Sequence, residues 1–237
     1  MNMGPRIYSI AGPDGAGKTT LINQMAFYLE KNGKRPVQVW IRYNHYLSKF
    51  VLGISRVMRL THIVRDEKGR VIHKHHRFHN HVVLKWMFVW SKTIDTVLAT
   101  VIKVFFPILR RRNTIILCDR WIPDVITDIE VETGIKNIDR QVPVKWLISF
   151  VKYSHIIVLR AEEAELLTRR PENKYDPFLK KRIEVYERLM QSYHWIAVDS
   201  REPQQTFEET LTKTNLNIYH SNEMRDQNEY SPKFGEV

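Results

Sequence analysis

Eight residues of this chain carry a recognisable chemistry. Gly12-Pro13-Asp14-Gly15-Ala16-Gly17-Lys18-Thr19 follows an apolar run and opens a stretch of helical period. Three glycines remove side chains where a turn must wrap its backbone around a ligand, and a lysine stands where that ligand is negative. The spacing is G-x-x-x-x-G-K-[ST], in which backbone N–H groups and the positive end of the following helix converge on phosphate oxygens. Lys18 is placed to reach the β and γ phosphates, and the Thr19 hydroxyl to ligate Mg²⁺. The alternative is a glycine turn with a chance lysine, but the strand before it and the helix after it argue for a nucleotide site. ATP and Mg²⁺ are thus the expected ligands, and residues Gly12, Pro13, Asp14, Gly15, Ala16, Gly17, Lys18, Thr19 and Thr20 the expected cradle.

Such a loop needs a strand to deliver it and a helix to receive it. Apolar, β-branched runs at 6–12, 36–41, 114–119, 155–160 and 195–200 read as strands buried on both faces. Helical periodicity predicts helices from Leu21 to a C-terminal cap at Gly33, and over 82–112, 125–132, 144–153, 162–169, 177–193 and 204–214. Strand and helix alternate, which predicts an α/β fold with a parallel sheet of about five strands flanked by helices. One domain over 1–216 is expected, with a polar tail over 217–237. Segment 82–109 is apolar but interrupted by Lys85, Lys92, Asp95 and Lys103, which predicts two buried helices or one long bent helix ending near Pro107, rather than a membrane span.

Of 237 residues, 43% are apolar, enough for a substantial core. The net charge is +11, concentrated in residues 31–112, which hold 18 Lys or Arg against 3 Asp or Glu. That asymmetry suits nucleotide phosphates, nucleic acid or an acidic membrane surface, or it is a solvated face. The single cysteine, Cys118, excludes an internal disulfide and fits a reducing compartment, so a cytoplasmic location is expected. The chain is short for a motor or helicase, which leaves a small phosphotransferase as the expected class.

Taken together, "GPDGAGKTT", "FFPILRRRNTIILCDRW", "LRAEEAELLTRRPENKYD" and "RIEVYERLMQSYHWIAVDSREPQQTFEETL" resemble, in order, the motifs of the thymidylate kinase family. The likeness covers about residues 6–215, more weakly over 44–92. It implies a three-layer P-loop kinase fold with a lid segment, transfer of the ATP γ-phosphate to a nucleoside monophosphate such as dTMP, and a homodimer. It also implies roles. Asp119 would hold Mg²⁺ through water or orient the phosphates, Arg120 and Arg42 would face the acceptor phosphate, and Asp14 would contact the acceptor sugar. With Gly15 where some family members carry arginine, Arg169 and Arg170 of the lid would supply transition-state charge. The implied catalytic set is Lys18, Asp119, Arg120, Arg169 and Arg170, with Asp14, Arg42, Arg120, Trp121 and Asp124 around the acceptor and Thr19 and Asp119 at the metal.

The chain departs from that family after Asp119-Arg120. Trp121 replaces a tyrosine, Asp124 stands near a serine position, and Thr127-Asp128-Ile129 replaces the base-reading triplet. Buried hydroxyls and amides read a base edge, so carboxylates there change what binds. Asp124 and Asp128, four apart on one helix face, suit sugar hydroxyls, an amino group, a basic neighbour or a solvated acidic face. Five histidines over 73–81 fit an exposed or acceptor-facing basic loop better than a closed metal site. Trp40, Tyr43, Tyr46, Trp86 and Trp90 are either core residues or stacking platforms. Two rivals stay open: a kinase of the same fold acting on a nucleoside or other small acceptor, and a non-catalytic ATP-dependent binder of nucleic acid or acidic membrane.

Overall fold

A computed structural model describes residues 6–42, 46–65, 69, 71–76, 78, 81–110 and 113–216. Five parallel strands, β1 (Ile7–Ala11), β2 (Arg35–Trp40), β5 (Thr114–Asp119), β6 (His155–Arg160) and β7 (Ile196–Asp199), form one sheet in the order β2-β5-β1-β6-β7. Their apolar runs are continuous because helices cover both faces of the sheet. One core contains Trp121, Ile126, Val144 and Leu189, and the other Leu21, Met25, Leu159 and Leu211. The architecture is therefore a three-layer α/β sandwich.

The register places the functional end. Asp119 lies level with Ile10 of β1 and Trp40 of β2, so the residues after all three strands emerge at one carboxyl edge. The chain order turns back at β1, which pairs with β5 on one side and β6 on the other, and ligands of open α/β sheets bind in the crevice at such a point. Helix α1 (Lys18–Lys31) closes with Gly33 at φ 66° and Lys34 N–H donating to Leu29 O at 2.9 Å, the cap expected from the sequence.

Two segments differ from the sequence reading. Ser48–Val57 forms a helix, α2, that periodicity had not marked, because a side chain from elsewhere starts it. The buried Asp95 carboxylate accepts the N–H groups of Tyr46, Leu47 and Ser48 at 2.7–3.0 Å, a negative charge against the helix N-terminus. The expected histidine-rich loop is instead an antiparallel hairpin of β3 (Thr61–Arg65) and β4 (Val71–His76), joined to the core through Phe78, which stacks on Phe88 at 4.8 Å. The side chains of His73, His75 and His76, residue His79, residue Tyr43 and the tail 217–237 lie outside the described residues.

The long helix expected over 82–112 is present, and it continues past Pro107. Helix α3 (Val82–Thr100) runs through one wider π turn (Val101–Phe105) into α4 (Phe106–Arg110) without a break. Pro107 offers no N–H and crowds the carbonyl four residues back, and the wider turn just before it relieves that clash. Beyond β5 come α5 (Ile122–Thr133), α6 (Val142–Phe150), α7 (Glu163–Arg169), α8 (Leu179–Tyr193) and α9 (Pro203–Lys213), within a turn or less of the predicted helices. Among the described residues no helix is long and apolar enough to cross a membrane.

Candidate active site

The loop between β1 and α1 holds its shape through glycine. Gly12 has φ 139°, and a Cβ there would stand 2.6 Å from the Leu159 carbonyl oxygen, so β6 leaves no room for a side chain. Gly17, at φ 82°, begins α1 and offers no side chain to cap it. With no acidic residue in that first turn, the positive helix end is left for an external anion. Lys18 is buried and its Nζ donates to the Gly12 and Pro13 carbonyls, each at 2.7 Å, so the ammonium is folded back over the loop. Burial pushes it down to about 8, reinforced by Arg120, while Asp14 and Asp124 pull it back up. A polyphosphate entering the loop would favour the charged form further.

At the loop's open side, Thr19 Oγ1 approaches Asp119 Oδ2 to 3.5 Å, although the two are 100 residues apart in the chain. The other carboxylate oxygen of Asp119, Oδ1, is buried and has no hydrogen-bond partner. A hydroxyl and a carboxylate with an idle buried oxygen beside a phosphate cradle are the hard oxygen donors that Mg²⁺ takes when it also binds phosphate. The residues present therefore fit the metal expected from the sequence.

Asp14 is the hub of a charged cluster beside the loop. It pairs with Arg120, lies 3.7 Å from Lys18 Nζ and 3.6 Å from Arg42 Nη1, and is reached by Arg170 at 4.0 Å. Burial raises the Asp14 carboxyl, but Lys18, Arg120 and Arg42 outweigh it and hold the group well below the usual carboxylate range. Arg120 adopts a left-handed φ of 62°, a strained conformation for a residue with a side chain, and strain of that kind collects at functional sites.

Arg42, directly beyond β2, does not point into solvent. Its Nε and Nη2 donate to the two oxygens of Asp128 at 2.7 Å each. Arg182 of α8 reaches the same carboxylate and bonds Asp176 at 3.3 Å, while Lys92 Nζ donates to the Arg42 carbonyl at 2.7 Å. Burial alone would raise Asp128, yet Arg42 and Arg182 hold it far below its ordinary value. Asp128 is thus the partner of a basic neighbour and not part of a solvated acidic face. Asp124 is fully buried: Tyr186 donates to its Oδ1 at 2.8 Å, and its Oδ2 has no partner.

Trp121, expected at the acceptor, is a core residue. It is fully buried and its indole N–H donates to Thr100 Oγ1 at 2.9 Å, so it braces α5 against α3 instead of walling a pocket. Trp40 and Tyr46 are half exposed, Trp86 packs against the core, and Trp90 meets Trp146 edge-on at 5.9 Å.

The segment expected as a lid lies against the loop. Arg169 donates to the Ser200 hydroxyl and, at 3.1 Å, to the Ser200 carbonyl. Arg170 bonds Glu172 at 3.0 Å while leaning toward Asp14. Two residues that the sequence reading missed make these contacts possible. Asn173 is buried and its amide donates to Asp14 O at 2.8 Å and Leu166 O at 3.1 Å. Ser200 donates to Ala16 O at 2.9 Å, tying the end of β7 to the same loop. Neither has a local sequence signature, because both act through tertiary proximity. Between lid and loop lies a cleft of about 310 Å³ whose walls include Thr20, Gln24, Arg169 and Pro203. Gln24 Oε1 there is buried without a partner.

The chain matches no protein-family model and no curated protein.

Proposed function

We propose that this protein is an ATP-dependent phosphotransferase that moves the γ-phosphoryl of ATP to a small acceptor bound beyond the carboxyl ends of β2 and β5. The observation that carries this reading is the meeting of Thr19 with Asp119, whose second oxygen is buried and unpaired, beside a glycine loop closed by Lys18. The loop and the start of α1 would hold the phosphates, and the cleft by Gln24 and Arg169 would take the base. Mg²⁺, when bound to Thr19 and Asp119, would neutralise charge between the β and γ phosphates. Lys18 would leave the loop carbonyls for phosphate oxygens, while Arg169 and Arg170 would screen charge from the lid and exclude water. Catalysis on this view is positioning and charge neutralisation, with no covalent intermediate on the protein.

The resemblance to thymidylate kinases points to a nucleoside monophosphate, dTMP or related, as acceptor, and the cytoplasm as location. A nucleoside or another small molecule is the second reading, favoured by the carboxylates that already engage Arg42 and Arg120. An ADP-release assay over nucleosides, nucleoside monophosphates and sugars, with Lys18→Ala as control, tests the reading. No acceptor-stimulated release would contradict it, and nucleic-acid binding that survives Lys18→Ala would favour a non-catalytic binder.

A homodimer through α3 belongs to the same proposal. Its exposed residues, Val82, Val83, Met87, Trp90, Ile94 and Leu98, are all apolar, whereas Ser91, Lys92, Asp95 and Thr96 are buried. That inversion of an ordinary surface helix suits a partner. A second copy fits because, in a chain of net charge +11, this face brings no like charges together.

A further inference from the structure

We infer that the acceptor presents a hydroxyl, not a phosphate, and that Asp124 takes the proton from it; this rests on the phosphotransferase reading above. Asp124 is fully buried in the first turn of α5, with Oδ1 accepting the Tyr186 hydroxyl at 2.8 Å and Oδ2 accepting nothing. An unpartnered buried acceptor is costly, and it invites a donor from outside the fold. The charged groups around it are Lys18 from α1, Arg42 beyond β2 and Arg120 beyond β5, with Tyr186 on α8. Of these cations Lys18 acts on Asp124 most strongly, so the carboxylate shares the field of the lysine that closes the loop.

Three kinds of acceptor group could approach such a place. A phosphate needs several free guanidinium N–H groups, but Asp128 occupies two nitrogens of Arg42 and Asp14 occupies one of Arg120, with Arg120 Nη1 left idle. It would also bring two negative charges against an unpaired carboxylate. An ammonium would meet Lys18, Arg42 and Arg120. A hydroxyl suits the two idle atoms, Asp124 Oδ2 and the buried Arg120 Nη1, because its O–H can donate to a carboxylate and its oxygen can accept from a guanidinium N–H.

In the step, the acceptor oxygen bonds to the γ phosphorus as the bond to the β,γ-bridging oxygen breaks, and that electron pair leaves on ADP. The hydroxyl proton passes to Asp124 Oδ2 and then to solvent, giving ADP, a phosphate monoester and one proton. Burial raises the Asp124 carboxyl, only partly offset by the three cations and Tyr186, which makes it a stronger base than an exposed aspartate.

The test compares the full-length wild type with Asp124→Asn for Mg·ATP affinity, ATP hydrolysis with water as the smallest hydroxyl, and transfer to thymidine against thymidine 5′-monophosphate, deoxycytidine against its monophosphate, and glycerol. The expected result is that Mg·ATP binding is retained, with turnover on hydroxyls reduced about 10²–10⁴-fold, the usual scale for losing a general base. Equal turnover in the variant overturns the inference, as does phosphorylation of a monophosphate to a diphosphate, or no turnover on any hydroxyl, water included. Failure of the wild type to bind Mg·ATP would instead defeat the phosphotransferase reading itself. Should Asp124→Asn not fold, Tyr186→Phe decides. Losing that hydrogen bond raises the Asp124 carboxyl, so the acid limb of the pH–rate profile moves to higher pH, and an unmoved limb overturns the inference.

Discussion

Arg42 and Asp128 face each other through two parallel hydrogen bonds of 2.7 Å, joining the second residue after β2 to the middle of α5. The pair is nearly buried, with side-chain exposures of 8% and 13%, and Arg182 completes it from α8. Three elements beyond the carboxyl edge of the sheet are thus fixed by one carboxylate. Removing that carboxylate leaves two buried guanidinium groups facing each other.

Asp128→Asn is therefore expected to lower the unfolding free energy by about 3–5 kcal/mol, the scale for breaking a buried ion pair on one side. Urea denaturation checks this. A loss below about 1 kcal/mol would show that solvent reaches the pair.

The same carboxylates predict an acid limb of stability. Asp14 and Asp128 are held below their ordinary value near 4, so they bind protons less readily folded than unfolded. Their contribution is complete above about pH 4 and is lost as pH falls through the folded values. Denaturation midpoints from pH 6 down to 2 should fall progressively in the wild type and more gently in Asp128→Asn.

Gly12→Ala should abolish nucleotide binding with the sheet retained. The new Cβ would press on Leu159 O at 2.6 Å, against backbone that has no side chain to swing away, at a φ that alanine rarely adopts. Circular dichroism near wild type, with Mg·ATP affinity reduced at least tenfold, is the expected pair of results.

Trp90→Glu should turn a dimer into a monomer, because it sets a charge in the centre of the apolar α3 face. Sedimentation velocity reads this directly. A wild type that is monomeric and binds anionic vesicles would assign the face to a membrane surface.

The sheet was legible because its strands are buried on both faces, so β5 and β6 match the predicted 114–119 and 155–160. The turn between β1 and α1 was legible because its glycine spacing is local. Helix α2 was not, since its N-terminus is capped by Asp95, nearly fifty residues away in the chain. Trp121 was misplaced for a related reason: its neighbour Arg120 turns through a left-handed φ, and the next side chain goes into the core. Asp124 and Asp128 were visible as a helical pair, but only their tertiary partners distinguish the paired carboxylate from the one with an idle oxygen.

Titration calorimetry of the full-length protein with ATP, with and without Mg²⁺, tests the central claim most directly. Uptake of ATP that strengthens with Mg²⁺ in the wild type, and weakens at least tenfold in Lys18→Ala, is the predicted result. No Mg²⁺-dependent heat in the wild type would contradict it.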